Sequence, residues 1–252
     1  MALLTCDFFS EALQVGTSMT VVLPQQTAAQ IGVTDSGSSG PPPVLYLLHG
    51  LSDDHTAWQR YTAIGRHAEA AGLAVVMPSV GRSFYTNEAH GHRYWDFVSE
   101  ELPTVVRSFF RVSAHPDDTF VVGLSMGGYG ALKLALTHPD RYAAAASLSG
   151  GLDVRKLLQA PERAELMDRV FDGSVRDEND LFSLLAGASG VPPLYLSCGT
   201  EDPLLPGTRR FAEEATAAGV DVTLDLRPGT HEWSLWDDVI QDVIAWLPVR
   251  DS

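Results

Sequence analysis

A serine set between two glycines, Gly123-Leu124-Ser125-Met126-Gly127, is the group in this chain best placed to act as a nucleophile. An apolar run over 119–122 leads directly into it, and a helical stretch over 129–137 follows. A strand that turns this sharply into a helix strains the serine backbone. It leaves room only for small residues two before and two after, which Gly123 and Gly127 supply. The strain lifts the hydroxyl clear of its surroundings. The start of the helix offers free N–H groups and a partial positive charge. An oxyanion formed during acyl transfer would be stabilised there, with the Met126 N–H as one donor.

A serine hydroxyl is a weak nucleophile and needs a base. Where a strand–turn–helix carries the serine, its partners follow in the order acid, then histidine. Of the eight histidines, His138 and His231 are the two that follow Ser125. His138 precedes Pro139 at the far end of the helix that Ser125 starts, a capping position out of reach of the serine. His231 follows an apolar run over 220–226 and a Pro228-Gly229 turn, at the carboxyl end of a strand, where such sheets meet their ligands. The acid should follow the preceding strand, and Glu201 and Asp202 both stand there. Asp202 is favoured, because Asp202-Pro203 ends a tight loop and would hold its carboxylate rigidly. Its task would be to fix the imidazole tautomer and stabilise the imidazolium. The second oxyanion donor should follow the first buried strand. Gly50 in His49-Gly50-Leu51 permits close approach, the Leu51 N–H is the expected donor, and the His49 ring would support the loop.

These groups need a scaffold that brings distant loops together. After two edge strands expected over 8–24 and a polar Gly/Ser/Pro-rich surface loop over 25–43, short apolar runs alternate with helical patterns. Runs at 44–48, 73–77, 119–122, 143–148, 194–197 and 220–226 read as strands, most of them buried on both faces. Trp95, Val98, Leu102, Val105, Val106 and Phe109 recur at helical spacing, with Pro103 marking a kink or a start. Trp236, Val239, Ile240, Val243 and Leu247 form the stripe of a last helix. The alternation predicts a mostly parallel sheet with helices on both faces, in a single domain over 1–252. Residues 152–190 break the rhythm. They are charged, helical in composition, and expected to form an insertion or lid over the site.

The chain has 252 residues, 45% hydrophobic and 19% charged, which excludes disorder and a small disulfide scaffold. Its 17 basic and 32 acidic side chains leave a net charge of −15. That argues against a nucleic-acid partner, which needs a basic face, and against an anionic membrane surface. Two cysteines, Cys6 and Cys198, give no framework of bridges and read as free thiols in a reducing compartment. No apolar run approaches the roughly 18 residues of a membrane span, and the first twenty residues lack the basic start of a secretory signal. The expectation is a cytoplasmic protein. His90 and His92 have the spacing of two metal ligands but no evident third, so no metal is expected.

Several motifs coincide in order: Val76-Met77-Pro78, Phe84-Tyr85-Thr86-Asn87, Glu101-Leu102-Pro103, residues 123–130, and Pro228-Gly229-Thr230-His231-Glu232-Trp233. Together they resemble the esterase D-like branch of the α/β hydrolases, and within it the bacterial tributyrin esterases that act on short acyl chains. The resemblance runs from about residue 44 to 247. It implies an eight-stranded, mostly parallel sheet and a serine esterase without cofactor, acting on a small acyl ester. It gives Ser125, Asp202 and His231 the roles argued above and places the Leu51 and Met126 backbone in the oxyanion hole. It also brings Tyr85 near the substrate. Trp233, two residues past His231, can wall the acyl pocket or join the core. Relatives often carry Gly-Asn after the His-Gly pair, whereas Leu51-Ser52-Asp53-Asp54 stands here. Such relatives form dimers or tetramers, so a homo-oligomer stays open. So do acyl transfer, S-formylglutathione hydrolysis and feruloyl or acetyl sugar ester hydrolysis, which use the same acyl-enzyme, and a silent binding module on the same scaffold.

Overall fold

The structure, a computed structural model, describes residues 1–25, 27, 31, 40–157 and 159–249. Most of the expected 25–43 loop lies outside them. Eight strands form one sheet: β1 (Ala2–Ser10), β2 (Val15–Leu23), β3 (Val44–Leu48), β4 (Ala74–Pro78), β5 (Thr119–Leu124), β6 (Ala144–Leu148), β7 (Leu194–Gly199) and β8 (Val222–Arg227). Their order is β1-β2-β4-β3-β5-β6-β7-β8. The pairings from β4 to β8 are parallel, while β1 with β2 and β2 with β4 are antiparallel. The sheet is therefore mostly parallel, with an antiparallel edge. β1 begins at Ala2, six residues before the expected start, because Leu3 and Leu4 are exposed on an edge strand and give no alternating signal.

Alternation along the central strands feeds two cores. Val44, Tyr46 and Leu48 of β3 face one layer, and Leu45 and Leu47 face the other. Each fully buried Leu contributes about 2 kcal/mol. The first layer is covered by α4 (Leu102–Phe109), α5 (Met126–Thr137), α7 (Ala164–Phe171), α8 (Leu181–Gly187) and α9 (Leu205–Ala217). The second is covered by α1 (Ala57–Tyr61), α2 (Ile64–Ala70) and α10 (Trp233–Trp246). Short turns α3 (Tyr94–Asp96) and α6 (Val154–Leu157) complete the set named here. Among the described residues no helix is long and apolar enough to cross a membrane.

Pro103 stands in the first turn of α4, the start that the sequence allowed, directly after a π-helical turn. It has no N–H for the Ser99 carbonyl four residues back. A π-helical turn over Phe97–Glu101 absorbs the misfit, and the Arg141 guanidinium donates to the Ser99 carbonyl at 2.9 Å. The acidic run over 176–180 caps α8, where the Asp180 side chain accepts from the Ser183 N–H.

Helix α5 is buried on every side, including its one cation. Lys133 donates to Thr86 Oγ1 at 2.9 Å and Asn179 Oδ1 at 2.7 Å, and its ammonium lies 4.3 Å from the centre of the Trp95 ring. It pins the loop after β4 and the segment before α8 to α5. Burial pulls its pKa down to about 7. In the unfolded chain the amine keeps its proton to about pH 10. The unfolded chain thus binds more protons between these values, and this group's contribution makes stability rise with pH across that window. Urea midpoints at pH 7, 8 and 9 should climb less steeply in Lys133→Met than in the wild type. Identical slopes would contradict this titration.

Candidate active site

Strand β5 delivers Ser125 at its carboxyl end, and α5 begins at the next residue. Ser125 has φ 54° and ψ −116°, a conformation that L residues rarely adopt. The turn holds it there. The Ser125 N–H donates to the Leu148 carbonyl at 2.9 Å, and the Ser125 carbonyl accepts from the Gly151 N–H at 3.0 Å. A Cβ on Gly123 would stand 2.2 Å from the Gly127 carbonyl oxygen, and one on Gly127 would stand 2.3 Å from the Leu48 carbonyl oxygen. Both glycines are therefore required by the approach of β3, β5 and α5.

His231 follows β8 and reaches across the ends of β7 and β6 to this turn. Its Nε2 lies 3.0 Å from Ser125 Oγ, and its Nδ1 lies 2.9 Å from Asp202 Oδ2. Asp202 is buried at the exit of β7. Burial by itself raises its carboxyl pKa, but hydrogen bonds from His231, the Leu204 N–H and the Ser149 hydroxyl together hold it below the usual range. It stays ionised, accepts from Nδ1–H, and leaves Nε2 as the acceptor toward the serine hydroxyl. Glu201 takes a different place. Its exposed carboxylate accepts from the Gly229 N–H at 2.7 Å, which fastens the Asp202 loop to the His231 loop. The structure thus brings Ser125, His231 and Asp202 together and leaves Glu201 as a link beside them.

The loop after β3 lies against this chain of groups. A Cβ on Gly50 would stand 3.7 Å from Ser125 Cβ. His49 Nδ1–H donates to the Gly50 carbonyl at 2.7 Å, and Nε2 accepts from the Val80 N–H at 3.1 Å. Burial pulls the His49 pKa down to about 4, so the ring is a neutral brace. The Trp58 indole donates to the Leu48 carbonyl at 3.1 Å from the other side. Leu51 and Met126 both line the cavity that opens on Ser125, which has a volume of about 160 Å³.

Two expected pocket residues lie elsewhere. Tyr85 is wholly buried and does not line this cavity; its hydroxyl donates to the His49 carbonyl at 2.9 Å, so it braces the loop. Phe84, its neighbour, lines the cavity instead. Trp233 does not line the cavity either. It stacks on Tyr61 with ring centres 4.9 Å apart and meets Trp58 and Trp236 edge to face, in the second core layer. His90 and His92 diverge: His90 Nε2 faces Asp172, and His92 Nδ1–H donates to the Leu13 carbonyl.

Sequence reasoning missed a support. Ser149, at the exit of β6 with φ 48°, accepts from the Trp236 indole at 3.1 Å and hydrogen-bonds Asp202. The Trp236 ring also meets the His231 ring edge to face at 4.9 Å. Trp236 thus steadies the histidine by contact and the aspartate through Ser149. The available signal was position, because Ser149 stands at a strand's carboxyl end like the other site residues.

The Esterase family model matches residues 10–247. An acetyl esterase of Caldicellulosiruptor saccharolyticus is 29% identical over 98% of both chains. FphF, a fluorophosphonate-binding serine hydrolase of Staphylococcus aureus, superposes with a TM-score of 0.89 at 32% identity over 98% of both chains. The S-formylglutathione hydrolase FrmB of Staphylococcus aureus superposes with a TM-score of 0.85 at 33% identity, again over 98% of both. With a serine at the strained β5–α5 turn of this sheet and likeness along nearly the whole chain, the protein belongs to the Esterase family, the esterase D-like serine carboxylesterases of the α/β-hydrolase fold.

Proposed function

We propose that the protein hydrolyses short-chain acyl esters with Ser125 as nucleophile, His231 as general base and acid, and Asp202 as the group that orients the histidine. The carrying observation is the hydrogen-bonded series from Asp202 through His231 to Ser125, ending at a cavity of about 160 Å³. Ser125 Oγ bonds to the ester carbonyl carbon as its proton passes to His231 Nε2. The carbonyl π electrons move to oxygen, and the oxyanion rests on the Leu51 and Met126 N–H groups. Collapse of the tetrahedral adduct breaks the bond to the alcohol, which leaves with the proton from Nε2. Water then repeats the sequence on the acyl-enzyme, releasing the acid and restoring Ser125. No step needs a cofactor. In this reading the chain is one domain, and residues 152–190 roof the site through Leu157 and Arg163, which line the cavity.

The cavity volume sets the acyl preference. At about 160 Å³ the cavity beside Ser125 is small and suits an acetyl or butyryl group better than a dodecanoyl chain. The p-nitrophenyl acetate and butyrate should therefore be cleaved about tenfold or more faster than the laurate. A maximum at laurate would contradict the pocket assignment. Ser125→Ala should lower kcat by about 10⁵-fold or more. Retained turnover in that variant would end the triad reading. Asp202→Asn should lower kcat roughly 10³- to 10⁴-fold, while Glu201→Gln stays near wild type. Kinetics of the two variants side by side assign the acid, and a large loss in Glu201→Gln alone would reverse the assignment.

A further inference from the structure

One charge on the wall around Ser125 has no counterpart. Leu51, Phe84, Met126 and Leu157 make that wall apolar, yet Arg163 stands in it. Among the described residues the Arg163 side chain has no carboxylate within ion-pair distance and no hydrogen-bond partner. Two nearby arginines are paired. Arg155 pairs with Asp177 and Asp180, and Arg210 pairs with Asp153 and Glu214. Position sets it apart: Arg66, Arg82, Arg107, Arg111, Arg176 and Arg209 also have no ion pair among the described residues, but none of them lines the catalytic cavity. A guanidinium set in a half-enclosed apolar wall gains most from a planar or tetrahedral anion that it can bond with two N–H groups.

The surroundings give that anion a direction. Leu157, Arg163, Pro203 and Leu204 line the catalytic cavity and also a second cavity of about 460 Å³, so the two meet at these residues. Leu51 and Met126, the expected oxyanion donors, line the first and not the second. An acyl group bound beside those donors sends its alcohol or thiol part past Arg163 into the larger space. Lys156 lines that space too, with no carboxylate partner among the described residues. Asp153 is there but held by Arg210, and Glu162 on the same wall has no ion pair among the described residues. Arg163 differs from Lys156, Asp153, Glu162 and Arg210 because it alone among these charged groups also lines the catalytic cavity.

We propose that the second cavity binds the alcohol or thiol part of the substrate, and that Arg163, aided by Lys156, recognises an anionic group, carboxylate or phosphate, on that part. The inference rests on the esterase reading above and adds the substrate class to it. The test uses three aryl acetates with the same acyl group: 3-acetoxybenzoate, 3-acetoxyphenyl phosphate and the neutral 3-acetoxybenzamide, each rate divided by its hydroxide-catalysed rate. In the wild type, kcat/KM for at least one anionic ester should exceed that of the amide about tenfold, mainly through KM, as a charge-assisted hydrogen bond provides. The ester that gains names the anion. The ratio of anionic to neutral ester should fall to about one in Arg163→Gln, keep part of its value in Arg163→Lys, and shrink in high salt. Equal rates for all three esters in the wild type, or a ratio unchanged in Arg163→Gln, overturn the inference and leave the esterase reading standing. Cleavage of none of the three by the wild type removes the esterase reading itself.

Discussion

Strand β5 passes into helix α5 with no space between the main chains, and the position of Ser125 follows from that. A methyl group at Gly123 or Gly127 would overlap a carbonyl oxygen, so β3, β5 and α5 can pack this closely only with glycines there. Close packing forces Ser125 to φ 54° and turns its hydroxyl toward the carboxyl ends of the strands. The same turn puts the first N–H of α5 beside the hydroxyl. The proposed nucleophile and one proposed oxyanion donor are thus products of a single backbone constraint.

The rest of the site is a set of strand exits fastened to one another. The exits of β3, β5, β6, β7 and β8 contribute Leu51, Ser125, Ser149, Asp202 and His231 respectively. Loops of this kind drift unless tied, and the ties are specific here. Glu201 joins the Asp202 loop to the His231 loop through the Gly229 N–H. Tyr85 and His49 brace the loop after β3, and Trp236 links Ser149 to the face of His231. Lys133 pins the loop that carries Phe84 and Tyr85 to α5. Burial keeps His49 uncharged, and hydrogen bonds keep Asp202 ionised. The two groups can therefore hold fixed protonation states while His231, in the proposed reaction, carries the proton.

The parts that sequence made legible are those with a local physical cause. Apolar runs marked the buried strands, and the glycine spacing marked the turn. The order of Ser125, the acid and His231 along the chain left little choice of partners. The choice between Glu201 and Asp202 needed coordinates, since both follow β7 and only the loop's course decides which faces the imidazole. Tyr85 and Trp233 show a different limit. Phe84 and Tyr85 both have positive φ without being glycine, so no sequence signal announces the reversal that buries Tyr85 and turns Phe84 to the cavity. Trp233 follows His231 closely, but α10 begins there and rotates it onto Trp58 and Tyr61. Arg163 was invisible for a further reason. Its significance is its place on the wall that two cavities share, which only the folded chain creates.

The central claim is that Ser125 is a nucleophile activated by His231. The direct test is titration with diethyl p-nitrophenyl phosphate, followed by peptide mass spectrometry of the wild type, Ser125→Ala and His231→Ala. The expected result is stoichiometric phosphorylation of Ser125 in the wild type, no adduct in Ser125→Ala, and labelling slowed by orders of magnitude in His231→Ala. An adduct on another residue, or labelling of Ser125 at an undiminished rate without His231, would contradict the claim.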